Sequence, residues 1–293
     1  MSLITLGRAL RVSHWIKNLV IFGPLLFDRK LLDPVYFNQT LVAFAIFCIL
    51  SSSIYLLNDV ADKTHDLHHP SKRLRPVASG QISTRSALSI AFIFALIMLP
   101  MGFIFHTWLG LLATVYWLQN VAYSYRLKHV VILDIFIIAS GFVLRVAAGA
   151  VMVKLEQGPL GSPWIYVCVA LGALFISLGK RRHEFTVNDG AQSAHRPVLA
   201  DYSLPLIDAM LLAVSTSTIV SYSLYTFSAP NLPDSNIMMV TIPIVVYAIF
   251  RYLYLIYIQG KGDSPHSLFF QDRPLLTALA IWLATTSVIL YIA

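Results

Sequence analysis

The chain has 293 residues, 57% of them hydrophobic and only 12% charged, with a formal net charge of +7. Average soluble proteins carry about 25% charged residues, so half the usual solvating charge is missing. The mean hydropathy is +0.72 and the apolar residues come in blocks, which excludes a disordered chain, a coiled coil and a nucleic-acid-binding domain, and points to an all-α, polytopic membrane protein.

The chain starts with Leu3, Ile4, Leu6, Leu10 and Val12 interleaved with Arg8 and Arg11, a pattern that suits a short amphipathic helix lying on a membrane surface. The first apolar run, Leu19 to Phe27, ends in Asp28-Arg29-Lys30 with no small-residue cleavage site, so it is not expected to be a removable signal. A spanning helix needs roughly 20 mostly apolar residues. That rule predicts about nine spans, near 15–33, 38–58, 84–104, 107–125, 130–152, 163–181, 205–227, 236–258 and 273–292. Pro24 interrupts the first of these. Cys48 and Cys168 each lie alone in an apolar block and read as packing residues.

Lys and Arg are distributed unevenly over the connections. With the N-terminus in the cytoplasm, the outer loops hold only Arg29, Lys30 and Lys154, and the inner ones hold nearly all the rest. This is the positive-inside pattern, and it predicts a cytoplasmic N-terminus and a multi-pass protein of the cytoplasmic (inner) membrane. The inner connections 58–83, 180–203 and 259–272 are also the long ones.

The second apolar block runs into Asn58-Asp59-Val60-Ala61-Asp62-Lys63-Thr64-His65-Asp66. Asp59, Asp62 and Asp66 are spaced i, i+3, i+7, which predicts three carboxylates on one helix face. Like charges so placed call for a cation, and oxygen-only ligands suit Mg²⁺, which commonly shares its shell with substrate phosphates. Lys72, Arg73 and Arg75 follow between Pro70 and Pro76, and Gly80 permits a turn before the next span. Acids and bases side by side are a general answer to a polyphosphate ligand. His65, His68 and His69 match no zinc spacing, and hard Mg²⁺ does not select them.

Further along, Asp134 and Arg145 are ionisable groups inside the fifth span, where charge is costly and usually lines a cavity. After the sixth span the chain reads Gly179-Lys180-Arg181-Arg182-His183-Glu184, with Asp189 beyond. Arg251 lies within a Tyr-rich block, where it is expected to snorkel. No Ser/His/Asp or Cys/His set for nucleophilic catalysis stands out.

Asn-Asp-x-x-Asp-x-x-x-Asp at the end of the second span, then Lys-x-x-Arg-Pro, resembles the first signature of the UbiA-type intramembrane prenyltransferases. The likeness runs along nearly the whole chain and includes Tyr-Ser-Tyr-Arg at 123–126. It implies one membrane domain over 1–293, a bundle of about nine helices around a cavity open to the bilayer, and Mg²⁺-dependent chemistry on a diphosphate. Most members carry a second Asp-rich motif after the sixth helix; here three bases and one acid stand instead. In this, and in Arg11-Val-Ser-His-Trp-Ile-Lys17-Asn18 and Asp272-Arg273-Pro274, the chain is similar to the decaprenyl-phosphate phosphoribosyltransferase subgroup.

That subgroup uses phosphoribosyl pyrophosphate as donor and a polyprenyl phosphate as acceptor. The resemblance implies Asp59, Asp62 and Asp66 as metal ligands, with Lys72 and Arg75 completing the catalytic set. Lys17, Asn18, Asn58, Tyr125, Arg126, Lys128, Asp134, Arg145, Lys180, Arg181 and Glu184 are the candidates for substrate binding. A homo-oligomer stays open. The rival expectations are an ordinary prenyltransferase acting on an aromatic acceptor, which the Lys180–Glu184 segment disfavours, and a lipid-phosphate transporter. Transporter sites usually sit at the midplane on broken helices, whereas these acids cluster at the membrane boundary.

Overall fold

The computed structural model describes residues 3–68, 72–153, 162–187, 197–229, 232–233, 235–262 and 265–292. His69, Lys154, Asp189 and Arg196 lie outside these. Among the described residues every regular element is helical. In chain order they are α1 (Leu3–Ala9), a 3-10 helix (Val12–Phe22), α2 (Gly23–Phe27), α3 (Pro34–Ala61), α4 (Lys63–His68), α5 (Thr84–Phe105), α6 (Thr107–Tyr125) and α7 (Leu133–Val153). There follow α8 (Pro163–Val187), α9 (Leu204–Ser228), α10 (Ile242–Tyr257), α11 (Pro265–Gln271) and α12 (Arg273–Tyr291), with short 3-10 turns at Lys72–Leu74, Leu127–His129, Pro197–Asp201 and Ile237–Thr241.

Seven of the described helical segments are long and apolar enough to cross a membrane: α3, α5, α7, α8, α9, α12, and α10 with the 3-10 turn before it. The segment expected at 107–125 is a full helix, α6, but carries Gln119, Asn120 and two threonines. The segment expected as a span at 15–33 is different. It is an 11-residue 3-10 helix followed by the five-residue α2. Pro24 accounts for the break, because a proline ring removes an amide donor and clashes with the carbonyl four residues back. The chain accordingly tightens, with Gly23 N–H bonded to the carbonyl of Val20.

Helix starts follow local chemistry. Asp33 accepts from the amides of Val35 and Tyr36 at the head of α3, and Pro34 occupies the first turn, where its missing N–H costs nothing. Ser83, Ser203 and Asp272 cap α5, α9 and α12 in the same way. Before α5 the chain reverses at Gly80, whose φ of +78° is the left-handed conformation that glycine tolerates.

The chain divides into two compact units. The first comprises Met1–Leu25, Asp33–Ile137 and Leu144–Lys154. Its centre is α3, which packs against α1, the 3-10 helix, α5 and α6. Ile46, Phe47 and Leu50 of α3 meet Leu109, Ala113 and Tyr116 of α6 and Ala148 of α7 in one buried cluster. A second cluster joins Ala9 of α1 to Leu56 and Leu57 of α3 and Ala87 and Ala91 of α5. Without a hydrophobic drive between helices in lipid, such interfaces depend on close packing of small and shaped side chains. On its other side α5 exposes Phe92, Leu96 and Ile104.

The second unit comprises Leu26–Leu32, Ile138–Val143 and Leu155–Ala293. Here α8 packs on α9, and α10 packs on α8, α9 and α12. Tyr222, Tyr225, Met238 and Ile289 form its main cluster with Phe27 and Trp282 against it. The Trp282 indole donates to the Tyr222 hydroxyl at 2.7 Å, and that hydroxyl lies 2.6 Å from the Thr241 hydroxyl.

Candidate active site

The acidic triplet does not ride on a single helix face as its spacing suggested. α3 ends at Ala61, Asp62 is its C-cap, and Asp66 belongs to the separate helix α4. The break re-aims Asp66 so that one cation can reach it and Asp59 together. Arg75 Nη1 donates to Asp66 Oδ2 at 2.7 Å and to Asp59 Oδ1 at 3.3 Å. Both carboxylates are buried, with side chains only 2% and 4% exposed, and a buried charge persists only when paired and hydrogen-bonded.

Two further cations pair with these acids. Arg11, just after α1, donates through Nη2 to Asp59 Oδ1. Lys128, in the turn after α6, donates to Asp62 Oδ1, and the Asn58 amide donates to Asp62 Oδ2 at 2.9 Å. Of the expected site residues, Asp59, Asp66 and Arg75 are linked in one set, and Asn58, Asp62 and Lys128 in another. Arg11 joins them without having been singled out as a site residue. Its signals were its place in a basic segment before the first apolar run and at the head of the Arg11–Asn18 segment that resembles the subgroup. Among the described residues no group of three or more His, Cys, Asp and Glu stands close enough to hold a metal ion as arranged. The donors are nonetheless all oxygens, and two of them already share a single cation, which is the chemistry that fits Mg²⁺.

A second polar group lies in the same unit. Arg145 of α7, 6% exposed, donates through Nε to Asn18 Oδ1 and through Nη2 to the Tyr116 hydroxyl, both at 2.6 Å. Its guanidinium also lies 4.6 Å from the centre of the Tyr116 ring, and Asn18 in turn donates to Ser51 and Cys48 of α3. Lys17 adjoins Asn18 on the 3-10 helix and is half-buried, and Asp134 in the first turn of α7 is fully buried. Tyr125 and Arg126 are exposed at the end of α6, and Lys72 is half-buried in its turn.

In the second unit, the end of α8 presents the base-rich segment. Arg181 is 1% exposed and donates to Glu184 one turn on, and Lys180 lies 3.8 Å from the same carboxylate. Arg182 is drawn away: its Nε donates to Asp208 of α9 at 2.8 Å and its guanidinium stacks 3.8 Å over Tyr257. Arg251 does not snorkel. It makes a two-pronged bond to Asp272, with Nε to Oδ1 at 3.0 Å and Nη2 to Oδ2 at 2.7 Å. Those bonds hold the Asp272 carboxyl below the ordinary carboxylate range, although partial burial works against them.

A multi-pass helical membrane protein with acidic and basic side chains converging where one helix ends is the class that this geometry defines. The chain belongs to the UbiA prenyltransferase family, whose family model matches residues 20–273. It is 31% identical over 296 residues to the decaprenyl-phosphate phosphoribosyltransferase of Mycolicibacterium smegmatis, covering 97% of this chain and 92% of that one. It is likewise 31% identical over 299 residues to the enzyme of the same name from Corynebacterium glutamicum, with 97% and 86% covered. Among solved structures, a UbiA homolog from Archaeoglobus fulgidus bound to GPP and Mg²⁺ aligns with a TM-score of 0.74 at 17% identity, over 98% of this chain and 100% of the other. That likeness is one of fold.

Proposed function

We propose that the protein transfers 5-phosphoribose from phosphoribosyl pyrophosphate to a polyprenyl phosphate, with release of pyrophosphate, as a single catalytic domain over residues 1–293 of the cytoplasmic membrane. The observation that carries this reading is the end-to-end similarity to decaprenyl-phosphate phosphoribosyltransferases. The base-rich segment Lys180–Glu184 supports it, because this donor carries a 5-phosphate besides its pyrophosphate. The one-sided distribution of Lys and Arg supports a cytoplasmic site.

As the C1–O bond breaks, positive charge builds on the ribose and negative charge on the departing pyrophosphate. Asp59 and Asp66, with Asp62, would hold Mg²⁺, which when bound supplies a positive charge beside that leaving group. Arg75 and Lys72 donate to the pyrophosphate oxygens, where fixed donors are most effective against developing charge. Lys17, Arg126, Lys180 and Arg181 are the candidate cations for the 5-phosphate and the lipid phosphate, and Asn18, Arg145, Asp134, Tyr125, Asn58, Lys128 and Glu184 are the further candidates for substrate binding. The acceptor phosphate is already anionic near neutral pH, so it attacks without a strong general base.

Replacement of Asp59 by Asn tests the reading. Pyrophosphate release from phosphoribosyl pyrophosphate is expected to fall by at least about 100-fold, in line with the loss of a key charge in a preorganised site. Wild-type turnover in that variant would remove Asp59 from the chemistry.

A further inference from the structure

We infer that Arg11 is a placeholder cation: it neutralises Asp59 while no metal is bound and yields that carboxylate to a divalent ion, so that metal binding is weak alone and coupled to arrival of the diphosphate. The inference rests on the proposal that Asp59 is a metal ligand.

Two carboxylates share two guanidiniums, and a third carboxylate, three residues along the chain from Asp59, pairs with a lysine. Asp59 takes Arg11 and Arg75, Asp66 takes Arg75, and Asp62 takes Lys128. The formal charges of these side chains balance one another. A divalent ion arriving by itself therefore does not meet a bare pocket of negative charge. It must separate ion pairs whose carboxylates are buried at Asp59 and Asp66, and each partly exposed cation then loses its carboxylate partner, which is costly. A diphosphate changes the balance, because its oxygens accept the guanidinium and ammonium groups that the carboxylates release. Binding of the two ligands is then mutually reinforcing, and by linkage each raises the affinity for the other equally.

Arg11 is the member built for this exchange. Its backbone is in the left-handed region, φ 49° and ψ 49°, an unusual state for a residue other than glycine. That twist joins α1 to the 3-10 helix at the level of Asp59. Its guanidinium also lies 4.8 Å from the centre of the Tyr55 ring, one helical turn before Asp59 on α3, so a cation–π contact offers a seat after release. Asp59 Oδ1 is shared by Arg11 and Arg75, so Asp59 keeps a counter-charge when Arg11 leaves.

The test uses Mn²⁺ as a probe detected by electron paramagnetic resonance, with the full chain purified in detergent and no donor present. Arg11→Gln is expected to bind Mn²⁺ about tenfold more tightly than the wild type, because a like charge in contact with the ligand set is gone. Arg11→Lys should fall between them. Inorganic pyrophosphate should tighten Mn²⁺ binding less in Arg11→Gln than in the wild type. A merely structural role would loosen the metal site, so equal or weaker Mn²⁺ binding in Arg11→Gln overturns the inference. Asp59→Asn serves as the separate control: wild-type Mn²⁺ affinity in that variant would sink the metal reading of Asp59 itself. Hydrogen exchange of the wild-type chain covers the case of a variant that does not fold. Mn²⁺ should speed exchange of the amides around residues 10–14, and unchanged or slower exchange there contradicts release of Arg11.

Discussion

Gly149→Ala perturbs one point at which packing and the site are joined. A Cβ at position 149 of α7 would lie 2.9 Å from the carbonyl carbon of Ile21 and 3.3 Å from its Cα, with the carbonyl oxygen nearer still. These are backbone atoms of the 3-10 helix, so no side-chain rotation relieves the overlap, and α7 must draw back. One turn earlier on α7, Arg145 holds Asn18 at 2.6 Å, and a retreat of about 1 Å takes that bond past useful length. Overpacking typically costs about 1–3 kcal/mol, and loss of a hydrogen bond to a charged group about 1.5–3 kcal/mol. The sum, about 2.5–6 kcal/mol, corresponds to a fall on the order of 10 °C in the unfolding midpoint in detergent, at about 2–4 °C per kcal/mol. Turnover should drop with it, because Lys17 and Asn18 move with the 3-10 helix. Gly172→Ala is the matched control, since a Cβ there meets nothing within 4 Å and the change should be neutral or slightly stabilising. A Gly149→Ala protein indistinguishable from Gly172→Ala in midpoint and turnover would refute the packing argument.

Asp272 supports α12 both as the N-cap, accepting from Leu275 N–H at 2.9 Å, and as the partner of Arg251. Its folded pKa is depressed, so the stability it contributes is fully present above the ordinary carboxylate pKa of about 4 and is lost as pH falls through the lowered value. Asp272→Asn should therefore lower the unfolding midpoint at pH 7, and the gap to wild type should close in strong acid; a gap that persists there would contradict the ion-pair assignment. Gly262→Ala would place a Cβ 2.5 Å from His183 Cβ and 3.2 Å from the Gly179 carbonyl oxygen, lifting the turn after α10 from the base-rich end of α8. The expected result is a rise of about tenfold in KM for phosphoribosyl pyrophosphate, equivalent to about 1.4 kcal/mol, with a smaller change in kcat. An unchanged KM would separate that contact from donor binding.

The apolar blocks made most of the fold legible. Expected spans at 84–104, 107–125 and 205–227 correspond to helices Thr84–Phe105, Thr107–Tyr125 and Leu204–Ser228, because long, mostly apolar runs headed by side-chain caps at Ser83, His106 and Ser203 leave the backbone few choices. The segment around Pro24 was harder to read, since hydropathy reports only that a stretch is buried and does not separate a 3-10 helix from an α-helix. The spacing of Asp59, Asp62 and Asp66 reads as one continuous helix face, whereas the helix stops at Ala61. The turn between α3 and α4, not helical register, is what lets Arg75 bridge Asp59 and Asp66. Arg11 meets Asp59 across 48 residues of chain, and Arg251 meets Asp272 across 21. Neither pairing leaves a local pattern in a single sequence.

The measurement closest to the central claim gives the purified protein Mg²⁺ with either of two substrate pairs and follows pyrophosphate release. One pair is phosphoribosyl pyrophosphate with a polyprenyl phosphate; the other is a prenyl diphosphate with an aromatic acid. Release from the first pair alone, with phosphoribose recovered on the lipid, is the predicted result. Release from the second pair and none from the first would contradict the account.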